Sequence, residues 1–170
     1  GRSSARETAT RVAAGAVARR VLVGVTIRGA LVQIGSHRID RSRWNWDEVD
    51  RNPFFSPDHQ AVQTWAGYLD EIRKAGSSVG AVIEVVAEGV PAGLGDPVFD
   101  KLDADLAKAM ISLPAAKGFE CGSGYAGTHL RGSAHNDAFV PDPIRGIATR
   151  TNRSGGIQGG ISTGMTIAVS

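Results

Sequence analysis

The chain has 170 residues, a length typical of one domain, with 42% hydrophobic and 21% charged residues. This amino-acid composition is that of an ordinary globular protein and excludes a disordered tail or a coiled coil. The formal charge is only +2 and the basic residues are spread along the chain, which disfavours a nucleic-acid surface. The single cysteine excludes an internal disulfide, and no apolar run approaches the roughly 20 residues that a membrane span needs. We therefore expect a cytoplasmic enzyme, or part of one, with no membrane or nucleic-acid partner.

Three helices are predicted from capping signals and from apolar residues at helical spacing. They cover about 4–22, 57–76 and 102–113. Ser4 and Glu7 form a capping box for the first helix, Pro57 takes the first helical position of the second, and Pro114 ends the third.

Extended segments are predicted where β-branched residues lie between turn signals. They are 25–34, 80–87, 117–121, 128–131, 146–150 and 165–170. Residues 37–56 are predicted as an ordered connection in which Trp44 and Trp46 pack, and 89–97 as a shaped loop. Because no Rossmann unit and no internal repeat is present, the element order favours an α+β sandwich over 1–170, a single partial domain.

Three local patterns could carry chemistry but favour simpler interpretations. Residues 122–127 match Gly-x-Gly-x-x-Gly, yet no helical pattern follows, so we predict a turn between strands. Cys121 with His129 or His135 could supply a nucleophile and a base, but a buried structural cysteine is the better interpretation. Residues 135–137 cannot all face one metal ion, and we predict no metal site; they could be a turn that positions one polar side chain.

Both ends of the chain indicate ligand binding. Residues 2–6 place two arginines and two serines at the start of the first helix, where free N–H groups and the helix dipole favour phosphate or carboxylate. A capped helix with two solvated arginines is the alternative. In 150–164, paired glycines allow the main chain to approach a planar or phosphorylated ligand, and Ile157 and Ile161 argue against a flexible linker.

These two ends, with the sequence Gly-Arg-Ser-Ser-Ala-Arg-Glu-Thr-Ala at 1–9 and the stretch 150–164, resemble the signature segments of chorismate synthase. Intervening runs agree with that family at 52–55, 89–95, 101–106 and 117–120. The resemblance covers essentially the whole chain and implies a chorismate-synthase-like β-α-β sandwich.

The resemblance implies a cytoplasmic, homotetrameric lyase of aromatic amino acid biosynthesis. Members of the family carry out the last common step of the shikimate pathway, the 1,4-elimination of phosphate from 5-enolpyruvylshikimate 3-phosphate to give chorismate. The reaction is redox-neutral and requires reduced FMN (FMNH2). Whether NADPH reduces the flavin on the protein itself or outside it is left open.

The resemblance also assigns site residues. Those implied to contact flavin are Arg2, Ser3, Ser4, Pro114, Ala115 and, through its backbone, Gly159. Those implied to face the substrate are Ser4, Ala5 and Arg6. Three positions depart from the usual pattern: Pro114 replaces an amide residue, Thr163 replaces Asn, and Tyr125 replaces a frequent Phe.

No residue is assigned a catalytic role, because the family's acid–base histidines lie in motifs that the sequence does not contain. These are Gly-Glu-Ser-His-Gly and Pro-Gly-His-Ala-Asp; the later motifs Lys-Pro-Thr-Ser-Ser and Gly-Arg-His-Asp-Pro are also missing. We therefore expect a central fragment of the enzyme that is inactive alone and brings Arg2 and Gly159 to one flavin. The alternatives are a non-catalytic flavin or phospho-ligand binding module and a hydrolase that uses Cys121.

Overall fold

The computed structural model describes residues 5–170, which divide into two compact units, 28–85 and 5–27 with 86–170. The helices are α1 (Ala5–Val21), α2 (Trp46–Val49), α3 (His59–Lys74), α4 (Leu102–Ile111) and α5 (Gly132–His135). The strands are β1 (Thr26–Ile34), β2 (His37–Arg38), β3 (Ala81–Glu88), β4 (Phe139–Asp142), β5 (Gly146–Thr149), β6 (Ile157–Gln158), β7 (Ile161–Ser162) and β8 (Ile167–Val169). The predicted α+β class is confirmed, whereas the single partial domain stays a prediction.

The strands form one four-stranded sheet and two ribbons. The sheet has the order β2-β1-β3-β8, and β1 pairs antiparallel with β2, with Gln33 opposite Arg38. The ribbons are the antiparallel pairs β4-β5 and β6-β7. In the described residues 5–170, no helix is long and apolar enough to cross a membrane.

The core of the unit 28–85 forms between β1 and α3. Alternate residues of β1, Val32 and Ile34, are buried together with Ala61 and Trp65 of α3. The Trp65 side chain is fully buried, and its indole nitrogen donates to the carbonyl oxygen of His37 at 3.0 Å. The apolar face of the predicted strand therefore packs against the apolar face of the predicted helix at this interface.

Asp58 starts α3 and ties the preceding connection to it. Its side chain accepts a hydrogen bond from the backbone nitrogen of Gln60, which makes it the N-cap residue. The prediction that Pro57 is the first helical residue is therefore wrong by two positions. Arg43 donates to both carboxylate oxygens of Asp58 at 2.9 Å, and Trp44 packs against the core as predicted.

The segment between α4 and β4 differs most from the prediction. The extended segment predicted at 117–121 is confirmed only at its end, where Glu120 and Ser170 exchange backbone hydrogen bonds and Cys121 forms an isolated bridge with Val169. The strand predicted at 128–131 is wrong, because residues 124–129 form a 3₁₀ helix followed by α5. Most of the turn predicted at 122–127 is therefore the first part of this 3₁₀ helix, and it does not join two strands.

Candidate functional site

The glycine-rich stretch predicted as a binding loop contains the hairpin β6-β7. Ile157 pairs with Ser162 and Gln158 with Ile161, which leaves Gly159 and Gly160 as a two-residue turn. Both have positive φ, 59° and 84°, the pattern of a type I′ turn that favours glycine at both positions. Gly160 is buried and Gly159 is exposed, so the turn presents one residue of its backbone.

The second strand of the hairpin is fixed to the loop that follows β3. Ser162 is only 3% exposed, and its hydroxyl donates to the carbonyl oxygen of Pro91 at 2.6 Å while accepting from the backbone nitrogen of Leu94 at 2.9 Å. The backbone of Ser162 adds bonds to Gly93 and Leu94, both 2.9 Å. The buried Ser162 hydroxyl therefore both donates and accepts a hydrogen bond, and both bonds join the loop to β7.

The turn of the hairpin lies at the beginning of α4. The carbonyl oxygen of Gly160 accepts from the backbone nitrogen of Leu102 at 2.9 Å. A Cβ at Gly160 would lie 2.4 Å from Cγ of Lys101, so the lysine stem packs directly on the glycine backbone. No such contact exists at Gly159, where no atom of the described chain lies within 4 Å of the position that a Cβ would take.

The base of the hairpin is held by Asp137, which is 4% exposed. One carboxylate oxygen accepts from the hydroxyl of Thr151 and from the backbone nitrogen of Arg153, the latter at 2.8 Å. The other accepts from the backbone nitrogen and the hydroxyl of Ser154, at 2.8 and 2.7 Å. Burial alone would raise the pKa of Asp137, but these hydrogen bonds outweigh it and lower the pKa to about 2.

The turn after Cys121 packs on the same base. The backbone nitrogen of Ser123 donates to the carbonyl oxygen of Arg153 at 2.7 Å. A Cβ at Gly155 would lie 2.3 Å from the backbone nitrogen of Gly122, so these two glycines allow direct contact between main chains. The hairpin is therefore fixed at its base, along its second strand and at its turn.

The structure also joins the start of α1 to the end of α4. Arg11 donates from Nη1 to the hydroxyl of Ser112 at 2.7 Å and from Nη2 to its carbonyl oxygen at 3.1 Å, and its Nε contacts Glu7. Ser112 is the C-cap residue of α4, where a cation complements the helix dipole. The first turns of α1 thus lie beside the segment that follows α4.

That junction carries several of the predicted site residues. Ala5 and Arg6 are exposed in the first turn of α1, and Pro114 and Ala115 are exposed just beyond Ser112. Gly159 lies near the other end of α4, because the next residue, Gly160, accepts a hydrogen bond from Leu102. The helix α4 spans about 15 Å at 1.5 Å per residue. The predicted contacts Arg2, Ser3 and Ser4 lie outside the described residues, so their placement beside Gly159 stays a prediction.

The nucleophile–base pair considered for Cys121 is not formed among the described side chains. The Cys121 sulfur donates to the carbonyl oxygen of Ser154 at 3.3 Å, and burial raises the pKa of its thiol. His135 instead lies 2.7 Å from the hydroxyl of Ser123, measured from Nε2. The sequence could not reveal this Ser–His contact or the role of Asp137, because the partners are 12 to 17 residues apart in segments without regular periodicity.

Two concave surfaces lie elsewhere, in the unit 28–85. One, of about 380 Å³, is polar and borders the buried Asp58 and its exposed partner Arg43. The other, of about 540 Å³, is apolar and is bordered by Phe54 and Phe55. Neither is lined by a predicted site residue, so the hairpin and the start of α1 remain the candidate site.

The fold and this site define an α+β protein with a fixed glycine hairpin whose turn exposes Gly159. The family described as "Chorismate synthase" matches residues 1–170. The chain belongs to the chorismate synthase family, as the sequence motifs predicted.

Individual proteins agree with this assignment. "Chorismate synthase" of Rhodospirillum centenum (strain ATCC 51521 / SW) is 60% identical over 173 residues, covering 99% of this chain and 46% of that protein. "Chorismate synthase" of Methylobacterium nodulans (strain LMG 21967 / CNCM I-2342 / ORS 2060) is 64% identical over 167 residues, covering 98% and 45%. A solved structure, "Crystal Structure of Chorismate Synthase", matches with a TM-score of 0.90 at 34% identity, covering 98% of this chain and 54% of that one. The chain spans about half the length of the curated relatives it matches.

Proposed function

We propose that this chain forms the flavin-facing surface and part of the substrate-facing surface of a chorismate synthase. The whole enzyme would be a carbon–oxygen lyase that eliminates phosphate from 5-enolpyruvylshikimate 3-phosphate to give chorismate. The observation that carries the proposal is Gly159, an exposed residue in a turn whose other residue, Gly160, is buried and bonded to the start of α4. Gly159 is the residue for which the family resemblance implies a backbone contact with flavin.

The described residues fit a flavin. At Gly159 the missing side chain leaves open space, so a planar ring system could approach the backbone directly. Pro114 and Ala115 offer a second exposed backbone segment at the far end of α4. Reduced FMN, when bound, supplies electron density near the allylic system as phosphate leaves, and the three residues would hold it there.

The start of α1 suits the anionic groups of the substrate. Arg6 provides a guanidinium in the first turn of a 17-residue helix, where the dipole adds partial positive charge. A substrate with one phosphate and two carboxylates requires donors of this kind. Arg11 and Ser112 would keep this surface at a fixed distance from Pro114 and Ala115, because their hydrogen bonds join the two segments.

In this proposal the chain binds and orients flavin and substrate, whereas the histidine motifs of the family transfer protons. General acid–base groups typically contribute about 10²–10⁴ in rate. The surface described here would therefore not produce turnover alone, even with flavin and substrate present. A homotetramer in the cytoplasm is part of the same proposal for the whole enzyme.

The test compares the 170-residue chain with a graft, in which residues 1–170 replace the matching stretch of the Rhodospirillum centenum relative. Both receive reduced FMN and 5-enolpyruvylshikimate 3-phosphate under anaerobic conditions, and chorismate is followed by absorbance. We expect turnover by the graft and none by the chain alone. Turnover by the chain alone would show that the catalytic groups lie within it, and a graft that binds FMN without turnover would favour the non-catalytic binding module.

Gly159→Ala in the graft tests the flavin contact itself. The added methyl group enters the open space beside the turn, so we expect the Kd for FMN to rise about tenfold or more. Gly146→Ala is the matched control, because Gly146 has a φ of 75° and equally open surroundings but is the first residue of β5, outside the β6-β7 hairpin. Equal effects of the two substitutions would attribute the loss to backbone strain and contradict a flavin contact at Gly159.

A further inference from the structure

We propose that Asp137 is a positioning residue for flavin binding: it fixes the base of the β6-β7 hairpin so that Gly159 stays in its place. The inference rests on the proposed function, because it concerns the same flavin-facing turn. Asp137 itself lies outside the hairpin, two residues before β4. It would act on the flavin only through the segment 151–154.

The contacts of Asp137 are directed at the backbone of that segment. Its two oxygens accept four hydrogen bonds, from Thr151, Arg153 and Ser154, and two of the four donors are main-chain N–H groups. Both N–H groups lie immediately before Gly155, where the chain turns towards the hairpin. The carboxylate therefore sets the direction in which the chain enters β6.

The hairpin depends on such external support. It contains only two residue pairs, and a two-stranded ribbon of this length is not stable by itself in water. The base continues into β6 through Gly156, whose carbonyl oxygen accepts from the backbone nitrogen of Thr163 at 2.9 Å. A change at Asp137 would reach Gly159 through only this short connection.

An ionised carboxylate suits this position better than an amide. All four groups that face Asp137 donate, and a carboxylate is purely an acceptor. In Asp137→Asn one oxygen becomes an NH2 group, so one of the two backbone nitrogens, that of Arg153 or that of Ser154, loses its acceptor. The substitution preserves volume, so it changes the position of the segment without opening a cavity.

The experiment measures FMN binding by the graft with Asp137→Asn, and Asp58→Asn is the matched control. Asp58 is also a buried carboxylate, 1% exposed, and accepts from the backbone nitrogens of Asp40 and Gln60, but it lies in the unit 28–85. We expect Asp137→Asn to raise the Kd for FMN about tenfold. We expect Asp58→Asn to leave that Kd within about twofold. Its thermal midpoint should fall by about as much as that of Asp137→Asn.

Amide hydrogen exchange of residues 155–160 provides a readout that does not require flavin. We expect faster exchange there in Asp137→Asn than in Asp58→Asn. An unchanged Kd with Asp137→Asn, or an equal rise with Asp58→Asn, would overturn the positioning role. If the unsubstituted graft binds no FMN, the proposed function fails. Equal exchange in the two variants would overturn the inference that Asp137 fixes the base of the hairpin.

A milder variant covers the case in which Asp137→Asn does not fold. Ser154→Ala removes only one side-chain donor to Asp137 and keeps both main-chain N–H contacts. We expect this variant to fold and to raise the Kd for FMN about threefold, with a normal thermal midpoint. An unchanged Kd in Ser154→Ala would then contradict the proposal.

Discussion

At the scale of single residues, ionisation of Asp137 should make the free energy of unfolding depend on pH in the acid range. Its pKa is lowered from 3.8 to about 2, because the hydrogen bonds to the ionised form outweigh the effect of burial. A carboxyl group with a depressed folded-state pKa contributes stability that is complete above its unfolded pKa and is lost as the pH falls through its folded pKa. The loss should therefore begin below about pH 4 and continue to about pH 2, and amount to about 2 kcal/mol.

Urea unfolding of the graft between pH 6 and pH 2.5 checks this prediction. The difference in free energy of unfolding between the unsubstituted graft and Asp137→Asn should shrink by about 2 kcal/mol over that range. Asp58→Asn serves for comparison, because the hydrogen bond from Arg43 lowers the pKa of Asp58 and gives the same sign. A difference for Asp137→Asn that stays constant with pH would show that this carboxyl group does not titrate as described.

At the scale of elements, Ser162 decides whether the hairpin stays attached to the loop after β3. Ser162→Ala would leave the backbone nitrogen of Leu94 and the carbonyl oxygen of Pro91 without their side-chain partner. Leaving buried polar groups unsatisfied costs about 1–3 kcal/mol, so we expect the graft to lose that much stability. Chemical denaturation measures it, and Ser133→Ala, at an exposed position on α5, should change the free energy by less than about 0.5 kcal/mol.

Regular elements could be predicted from the sequence where local periodicity and packing agree. The second predicted helix has apolar residues at helical spacing, and the face of α3 that carries Trp65 meets the core. The strands at 146–150 and 165–170 were also predicted, and the structure places β5 and β8 there. The glycine pairs of 150–164 predicted a binding loop, and the structure resolves this loop into a fixed hairpin.

Segments shaped by distant contacts could not be predicted in this way. The turn at Gly122 is set by the backbone of Arg153, about thirty residues later. The local pattern at 128–131 therefore predicts a strand that does not form. The sequence indicates Asp137 only as part of a possible turn at 135–137 that positions one polar side chain. Its four donors come from residues 14 to 17 positions away, and nothing in the intervening sequence indicates that they converge on it.

At the scale of the whole molecule, α1 predicts self-association of the 170-residue chain. None of its side chains is buried, although the helix is rich in alanine and valine; Val12 and Val17 are each 69% exposed and Val21 is 79% exposed. Apolar surface of this kind is typical of a contact face. We therefore expect the sedimentation coefficient of the chain to rise with concentration.

Val17→Lys/Val21→Lys tests whether α1 causes the association. Lysine has a better helix propensity than valine, so the substitutions keep the helix while removing two apolar side chains from its surface. We expect the double variant to sediment as a monomer of 17.8 kDa at concentrations where the unsubstituted chain associates. Gln63→Lys/Ser133→Lys adds the same charge at exposed polar positions outside α1 and should still associate. A stable, compact monomer of the unsubstituted chain would contradict the prediction, and loss of association in both double variants would attribute it to net charge rather than to α1.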